Sequence, residues 1–180
     1  MPRLPFPHPL AVGTDIVHLP RIQRLISKDK DGRSLRSFAH RILHPHELRD
    51  LTHRQPEWRN LYHATDADSS SLVRWLGGRF AAKEAARKAL GATRLGWKDV
   101  RTEFQQDKEQ KLEQSRDSSG SYQPSIICTM AQDANREDGL EQEAKLSISH
   151  DGEYAIATVL AAPLPVDTLH ERLSEHAMRA

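Results

Sequence analysis

The chain has 180 residues, enough for one domain with a sizeable hydrophobic core. Its formal net charge of +1 at pH 7 excludes a globally polyanion-binding surface, although ten histidines add positive charge below neutrality. The single cysteine, Cys128, excludes an intrachain disulfide framework and suits a reducing compartment, and no apolar run approaches membrane-spanning length.

Residues 1–10 are rich in proline with one Arg, which reads as neither a secretory signal nor an amphipathic presequence. Residues 10–17 (L-A-V-G-T-D-I-V) are apolar and β-branched, and predict a strand carrying one acid, Asp15. Pro20 then suits a helix start, with Ile22, Leu25 and Ile26 as its apolar stripe. Seven basic residues fall in one stretch, Arg21, Arg24, Lys28, Lys30, Arg33, Arg36 and Arg41, with only Asp29 and Asp31 among them. Such a stretch fits an acidic partner, nucleic acid or a solvated face. A short helix is predicted at 38–43 and another from Pro45 to Thr52. Residues 53–71 are polar and read as an irregular surface insertion. Ser70 or Ser71 is placed to cap a long helix that buries Leu72, Trp75 or Leu76, Phe80 and several Ala, and that ends at Gly91.

Residues 97–104 alternate enough for a strand, whereas 105–121 are polar without periodicity and read as a second surface insertion. The run 122–130 is β-type, with Pro124 at its start, where a missing N–H does least harm. A short helix is expected within 131–143. Residues 146–150 and 154–160 then form two strands joined by Asp151-Gly152, a hairpin signal. From residue 163 the chain is a charged tail of helical character. Strand, helices, then several strands predict a single α+β domain over 1–180, a small antiparallel sheet packed on a long central helix.

Three segments carry the chemistry. In 79–88 (R-F-A-A-K-E-A-A-R-K), Glu84 and Lys88 project from one helix face a turn apart, flanked by Arg79 and Lys83. A carboxylate able to hold a metal beside cations able to hold phosphate points to phosphoryl chemistry, although the same pair on any exposed helix contributes only about 0.2–0.5 kcal/mol. In 12–17, Asp15 is an acid in an apolar strand, costly to bury unless paired or metal-bound, unless it caps a nearby turn. In 146–151, alternation sends Ser147, Ser149 and Asp151 to one face and Ile148 and His150 to the other. A lone His at a hairpin end is more often structural than functional.

Together these segments resemble one family. The residues that carry the resemblance are V-G-T-D-I-V-H-L-P-R-I at 12–22, F-A-H-R-I-L-H-P-H-E-L at 38–48 and G-R-F-A-A-K-E-A-A-R-K-A-L-G at 78–91. L-G-W-K-D-V at 95–100, Q-P-S-I-I-C-T at 123–129 and L-S-I-S-H-D-G-E-Y-A-I-A at 146–157 complete it. In this order, over nearly the whole chain, they resemble the holo-acyl-carrier-protein synthase type of 4′-phosphopantetheinyl transferase. The departures are the two polar insertions, near 53–71 and 105–121, and Thr14 after Gly13.

The resemblance implies transfer of the phosphopantetheine arm of coenzyme A to a serine of apo acyl carrier protein, in support of fatty acid biosynthesis, with adenosine 3′,5′-bisphosphate as the other product. It implies Mg²⁺ held by Asp15 and Glu84, which suits a hard cation that keeps several waters. Glu84, directly or through a metal-bound water, takes the serine proton, and Lys88 steadies the diphosphate. Arg79 matches a contact to the nucleotide phosphate, Lys83 to phosphate, and Pro124 and His150 to the coenzyme A site. Arg21 and Lys28 match the surface that docks the acidic carrier, with Arg24 on the same basic element. The resemblance further implies a homotrimer with sites between subunits, no nucleic-acid or membrane partner, and a mitochondrial location in a eukaryote or a cytoplasmic one in a bacterium. The competing readings are a non-catalytic carrier-docking module, disfavoured by Asp15, Glu84 and Lys88 together, and a nucleic-acid binder, for which no reader helix or aromatic platform is visible. A generic nucleotide hydrolase lacks its G-x-x-x-x-G-K-[ST] loop.

Overall fold

A computed structural model describes residue 8 and residues 10–63, 67–90, 95–104, 124–130 and 140–162. The polar segment 105–121, residues 131–139, Gly91 and the tail from 163 lie outside the described residues.

Strand β1 (Ala11–His18) leads directly into α1 (Leu19–Ile26), α2 (Arg33–Ile42) and α3 (Pro45–Arg54). A 3₁₀ segment (Trp58–His63) precedes the long α4 (Ala67–Leu90), and β2 (Val100–Phe104), β3 (Pro124–Met130), β4 (Leu140–Asp151) and β5 (Tyr154–Ala161) follow. The five strands form one antiparallel sheet in the order β1-β5-β4-β3-β2. The α+β architecture expected from the sequence is therefore the one observed. The β4–β5 turn falls at Gly152-Glu153, with Gly152 at φ 50°, a left-handed conformation that glycine adopts without steric cost.

Helix α4 is buried around almost its whole circumference from Leu72 to Ala86, as a helix must be when a sheet covers one side and other helices the opposite side. Its sheet-facing positions are small: Ala81, Ala82, Ala85 and Ala86 are all buried. Across from them Ile26, Leu35, Ile42, Leu43, Leu51, Leu72 and Leu76 are enclosed, each such side chain contributing about 1.5–3 kcal/mol. Helix α3 begins with a capping box in which His44 Nδ1 accepts from the His46 amide at 3.1 Å and Glu47 accepts from the His44 amide at 3.0 Å.

Several boundaries differ from the sequence reading, among them the start of β2, at Val100 rather than 97. Helix α2 starts at Arg33, five residues before the expected 38, behind the left-handed Gly32. Helix α4 starts at Ala67 rather than after Ser70 or Ser71, so Gly77 and Gly78 lie well inside it. Ser70 and Ser71 therefore lie inside the helix rather than at its cap, and the neighbouring Ser69 is buried with its hydroxyl donating to the Leu61 carbonyl at 3.1 Å. The segment 53–71 is not wholly a surface insertion: Trp58 is fully enclosed and its indole N–H donates to Thr52 Oγ1 at 3.1 Å, which satisfies the one polar atom that burial would strand. Residues 140–143, expected within a helix, belong to β4.

Candidate functional site

The site begins with a missing side chain. A Cβ on Gly13 would stand 1.9 Å from the Ala85 carbonyl oxygen and 2.6 Å from the Ala89 nitrogen, so β1 and α4 meet backbone to backbone at this position. Alternation along β1 turns Asp15 to the same side, about 7 Å further along the strand. There the Lys88 ammonium lies 2.8 Å from Asp15 Oδ1 and 2.8 Å from the Thr14 carbonyl oxygen, donating to both. Glu84 is one turn earlier on α4, on the face that carries Lys88. Its Oε1 accepts from Arg87 Nη1 at 3.2 Å. One turn of α4 thus carries Glu84, Arg87 and Lys88, with Asp15 of β1 bonded to Lys88, and these four side chains stay partly open to solvent.

Among the described residues no three His, Cys, Asp or Glu gather into a cage for a metal. Two partly exposed carboxylates at one turn are instead the donor set of a hard cation that retains water ligands, so the residues present fit Mg²⁺ better than zinc.

The other expected residues are distributed elsewhere. Lys83 points away from any ligand: its ammonium is fully buried, 2.6 Å from Glu47 Oε2, and donates to the carbonyls of Trp97 at 3.0 Å and Val100 at 2.5 Å. All three of its N–H groups are used, and none remains for the phosphate that the sequence reading assigned to it. Burial pushes its pKa down, against the opposing pull of Glu47. Arg79 is 7 % exposed and stacks its guanidinium 3.9 Å above the Trp75 ring. Desolvation pushes its pKa down to about 10. It stands about 140° around the helix from Glu84.

His150 lies on the α4-facing side of β4, as its alternation requires. Its ring closes over Gly78, and its Nε2 is 3.1 Å from the Arg74 carbonyl; because a carbonyl only accepts, Nε2 carries the hydrogen. Gly78 and Lys88 are about 15 Å apart along α4, and His150 is two strands from β1, so within one chain His150 does not reach the Asp15–Glu84 turn. Pro124 opens β3, three strands from β1.

Arg21 and Arg24 are exposed on α1, and Arg24 Nε donates to the Pro20 carbonyl at 3.3 Å. Lys28 is also exposed but lies beyond the helix, in the wall of an open groove shared with Arg33 and Arg41 on α2. The acids of this stretch are engaged locally. Asp29 accepts from the Ser34 amide at 2.7 Å and its hydroxyl at 2.5 Å, and Asp31 pairs with Arg33 at 2.7 Å. Neither acid pairs with Arg21 or Arg24, the two exposed cations of α1.

Sequence reasoning missed Arg87 beside Glu84 and Glu47 beneath Lys83. The first was legible as the spacing of three between Glu84 and Arg87, and the second as a His-x-x-Glu variant of the helix-start capping pattern.

Residues 11–159 match the 4′-phosphopantetheinyl transferase superfamily. The chain is 43% identical over 169 residues to 4′-phosphopantetheinyl transferase B, mitochondrial, of Aspergillus fumigatus, an alignment covering 90% of this chain and 99% of the other. It is 34% identical over 168 residues to the holo-[acyl-carrier-protein] synthase of Geobacillus kaustophilus, covering 89% and 98%. The solved holo-ACP-synthase of Plasmodium yoelii shares the fold, with a TM-score of 0.51 at 23% identity over 86% of this chain and 95% of that one.

Proposed function

The chain belongs to the 4′-phosphopantetheinyl transferase superfamily, and we propose that it is a holo-acyl-carrier-protein synthase acting at the turn where β1 meets α4. The observation that supports this reading is the bond from Lys88 to Asp15, 73 residues away in sequence, one helical turn from Glu84 on α4. In the proposed reaction a serine hydroxyl oxygen of the apo carrier attacks the β-phosphorus of coenzyme A. The bond from that phosphorus to the bridging oxygen breaks, the serine proton passes to Glu84, and adenosine 3′,5′-bisphosphate departs with the bridging oxygen.

Glu84 is suited to accept the proton because it is an ionisable oxygen base on a rigid helix. Lys88, anchored by Thr14 and Asp15, holds a positive charge where the diphosphate must lie, and Arg87 supplies a second. Asp15 and Glu84 would hold Mg²⁺, which when bound offsets charge on the phosphoryl oxygens.

The carrier is an acidic protein, and the exposed Arg21, Arg24 and Lys28 offer it a complementary surface. A homotrimer is part of the proposal. Val12, Ile16, Tyr154, Ile156 and Leu160 expose apolar surface on the side of β1 and β5 away from α4. The register sets Val12 beside Leu160 and Ile16 beside Ile156, two apolar pairs flanking the Thr14–Thr158 hydroxyl pair. Association of copies would also let Arg79, Pro124 and His150 contribute to coenzyme A binding across a subunit boundary. The mitochondrial designation of the Aspergillus fumigatus relative favours a mitochondrial carrier of fatty acid synthesis over the bacterial alternative. Among the described residues no helix is long and apolar enough to cross a membrane.

Incubating the protein with coenzyme A, Mg²⁺ and apo carriers, one of them from fatty acid synthesis, and weighing the carriers by mass spectrometry tests the reading. Addition of one phosphopantetheine arm is expected; unmodified carriers throughout would overturn it. In the same assay Arg21→Glu is expected to raise KM for the carrier roughly tenfold while KM for coenzyme A stays near that of the unaltered protein. Equal changes in both would contradict the division between docking and cofactor surfaces.

A further inference from the structure

Helix α4 carries the proposed reacting groups, yet its apolar packing against the sheet is made largely of alanine and glycine. Such a surface has shallow ridges, and apolar contact has no direction, so it resists sliding and rotation of the helix weakly. Directional bonds must fix the helix, and at one place they are complete. Glu47 and Lys83 are 1 % and 0 % exposed. Glu47 Oε1 accepts from the Thr102 amide at 3.0 Å and the Thr102 hydroxyl at 2.9 Å. Its Oε2 accepts from Lys83 at 2.6 Å and from the His44 amide at 3.0 Å. With the two carbonyl acceptors of Lys83, at Trp97 and Val100, every lone pair and proton of the ion pair is satisfied.

We propose that Glu47 is a positioning residue for the transfer reaction: through the buried Lys83 it fixes the rotation and axial position of α4, and so the placement of Glu84 and Lys88 against Asp15. This inference rests on the reading of that turn as the reacting site. The network joins the first turn of α3, the segment before β2, β2 itself and the middle of α4. Its anchor on α4 is the residue immediately before Glu84, which leaves little slack between the lock and the group it places.

Stability alone is a poor account of the pair. Removing two charges from water costs several kcal/mol per ion, and well-packed apolar replacements of buried pairs are often neutral or stabilising. What a saturated buried network provides is one arrangement in preference to its neighbours. The hydrogen bonds also have fixed lengths, so a helix displaced by even 1 Å would break several of them together.

The test uses the full chain with Glu47→Gln, whose amide nitrogen meets either Lys83 and the His44 amide or the Thr102 amide with a donor where an acceptor is required. Thermal melting, kcat, KM for coenzyme A and the half-saturating Mg²⁺ concentration are measured at least 15 °C below the melting midpoint. The expected result is a fall in kcat of roughly tenfold or more, a several-fold rise in the Mg²⁺ requirement, and KM for coenzyme A within about twofold of the parent. Should this variant not fold, Glu47→Gln combined with Lys83→Gln, in which two neutral amides replace two charges and can bond to each other, carries the same expectation. Parental kcat and Mg²⁺ requirement in either folded variant overturns the inference. Loss of activity that only tracks the unfolded fraction overturns it too. Absence of transfer by the unaltered chain would instead overturn the proposed function.

Discussion

A Glu84→Gln protein is expected to fold normally and to lose roughly 10³-fold or more in kcat. The two side chains have the same shape, and the only described interaction that the change weakens is a part-exposed pair with Arg87, on the order of 0–1 kcal/mol. The chemical change is large by comparison. An amide takes no proton from a serine hydroxyl, and it brings no negative charge to a turn where Asp15 is then the only carboxylate beside Lys88. Because the loss arises in the reacting state, kcat should fall while KM for coenzyme A moves little. Circular dichroism and the melting midpoint check the fold, and single-turnover transfer checks the chemistry. Full activity in a folded Glu84→Gln protein would remove Glu84 from the mechanism.

Gly13→Ala is expected to cost about 3 kcal/mol or more of folding stability, a larger effect than any surface substitution in this chain. The reason is not backbone freedom but proximity. The added methyl carbon would stand 1.9 Å from one backbone atom of α4 and 2.6 Å from another, and backbone atoms cannot rotate aside as a side chain can. Strand and helix would have to part by more than 1 Å. The same movement carries Asp15 away from Lys88, so residual folded protein should also be slow. Urea denaturation followed by fluorescence gives the stability, and parental stability would show that β1 and α4 are not in the contact described.

These two glycine and carboxylate positions show how far a sequence can be read. The spacing of Gly13 and Asp15 was visible as a pattern, but its cause was not: the glycine makes room for a helix that arrives 72 residues later. Strand β1, the Gly152 hairpin and the alternation of β4 were legible because each is a local property of a few residues. Glu84 and Lys88 were legible because helical spacing alone puts them on one face. Lys83 was misread because a lysine on a helix is ordinarily solvated, and its counter-ion lies far upstream, in the capping turn of α3. Trp58 was hidden for a similar reason, as one large apolar residue in a polar segment whose neighbours gave no period. The start of α4 was misplaced because a serine suggested a cap where the helix had already begun. The expected ligands Pro124 and His150 belong to strands that pair far from β1, and no sequence pattern reports how strands are ordered across a sheet. Basic residues on α1 were readable as a cluster, but that Asp29 bonds to Ser34 and Asp31 to Arg33, rather than either to Arg21 or Arg24, required coordinates.

The proposed transfer requires above all a divalent cation shared by Asp15 and Glu84. Electron paramagnetic resonance of Mn²⁺ titrated into the protein with coenzyme A present measures this directly, through the loss of free-ion signal. The unaltered chain should bind one ion per active site, and Asp15→Asn and Glu84→Gln should each weaken that binding by roughly tenfold or more. Unchanged Mn²⁺ affinity in both folded variants would contradict the claim.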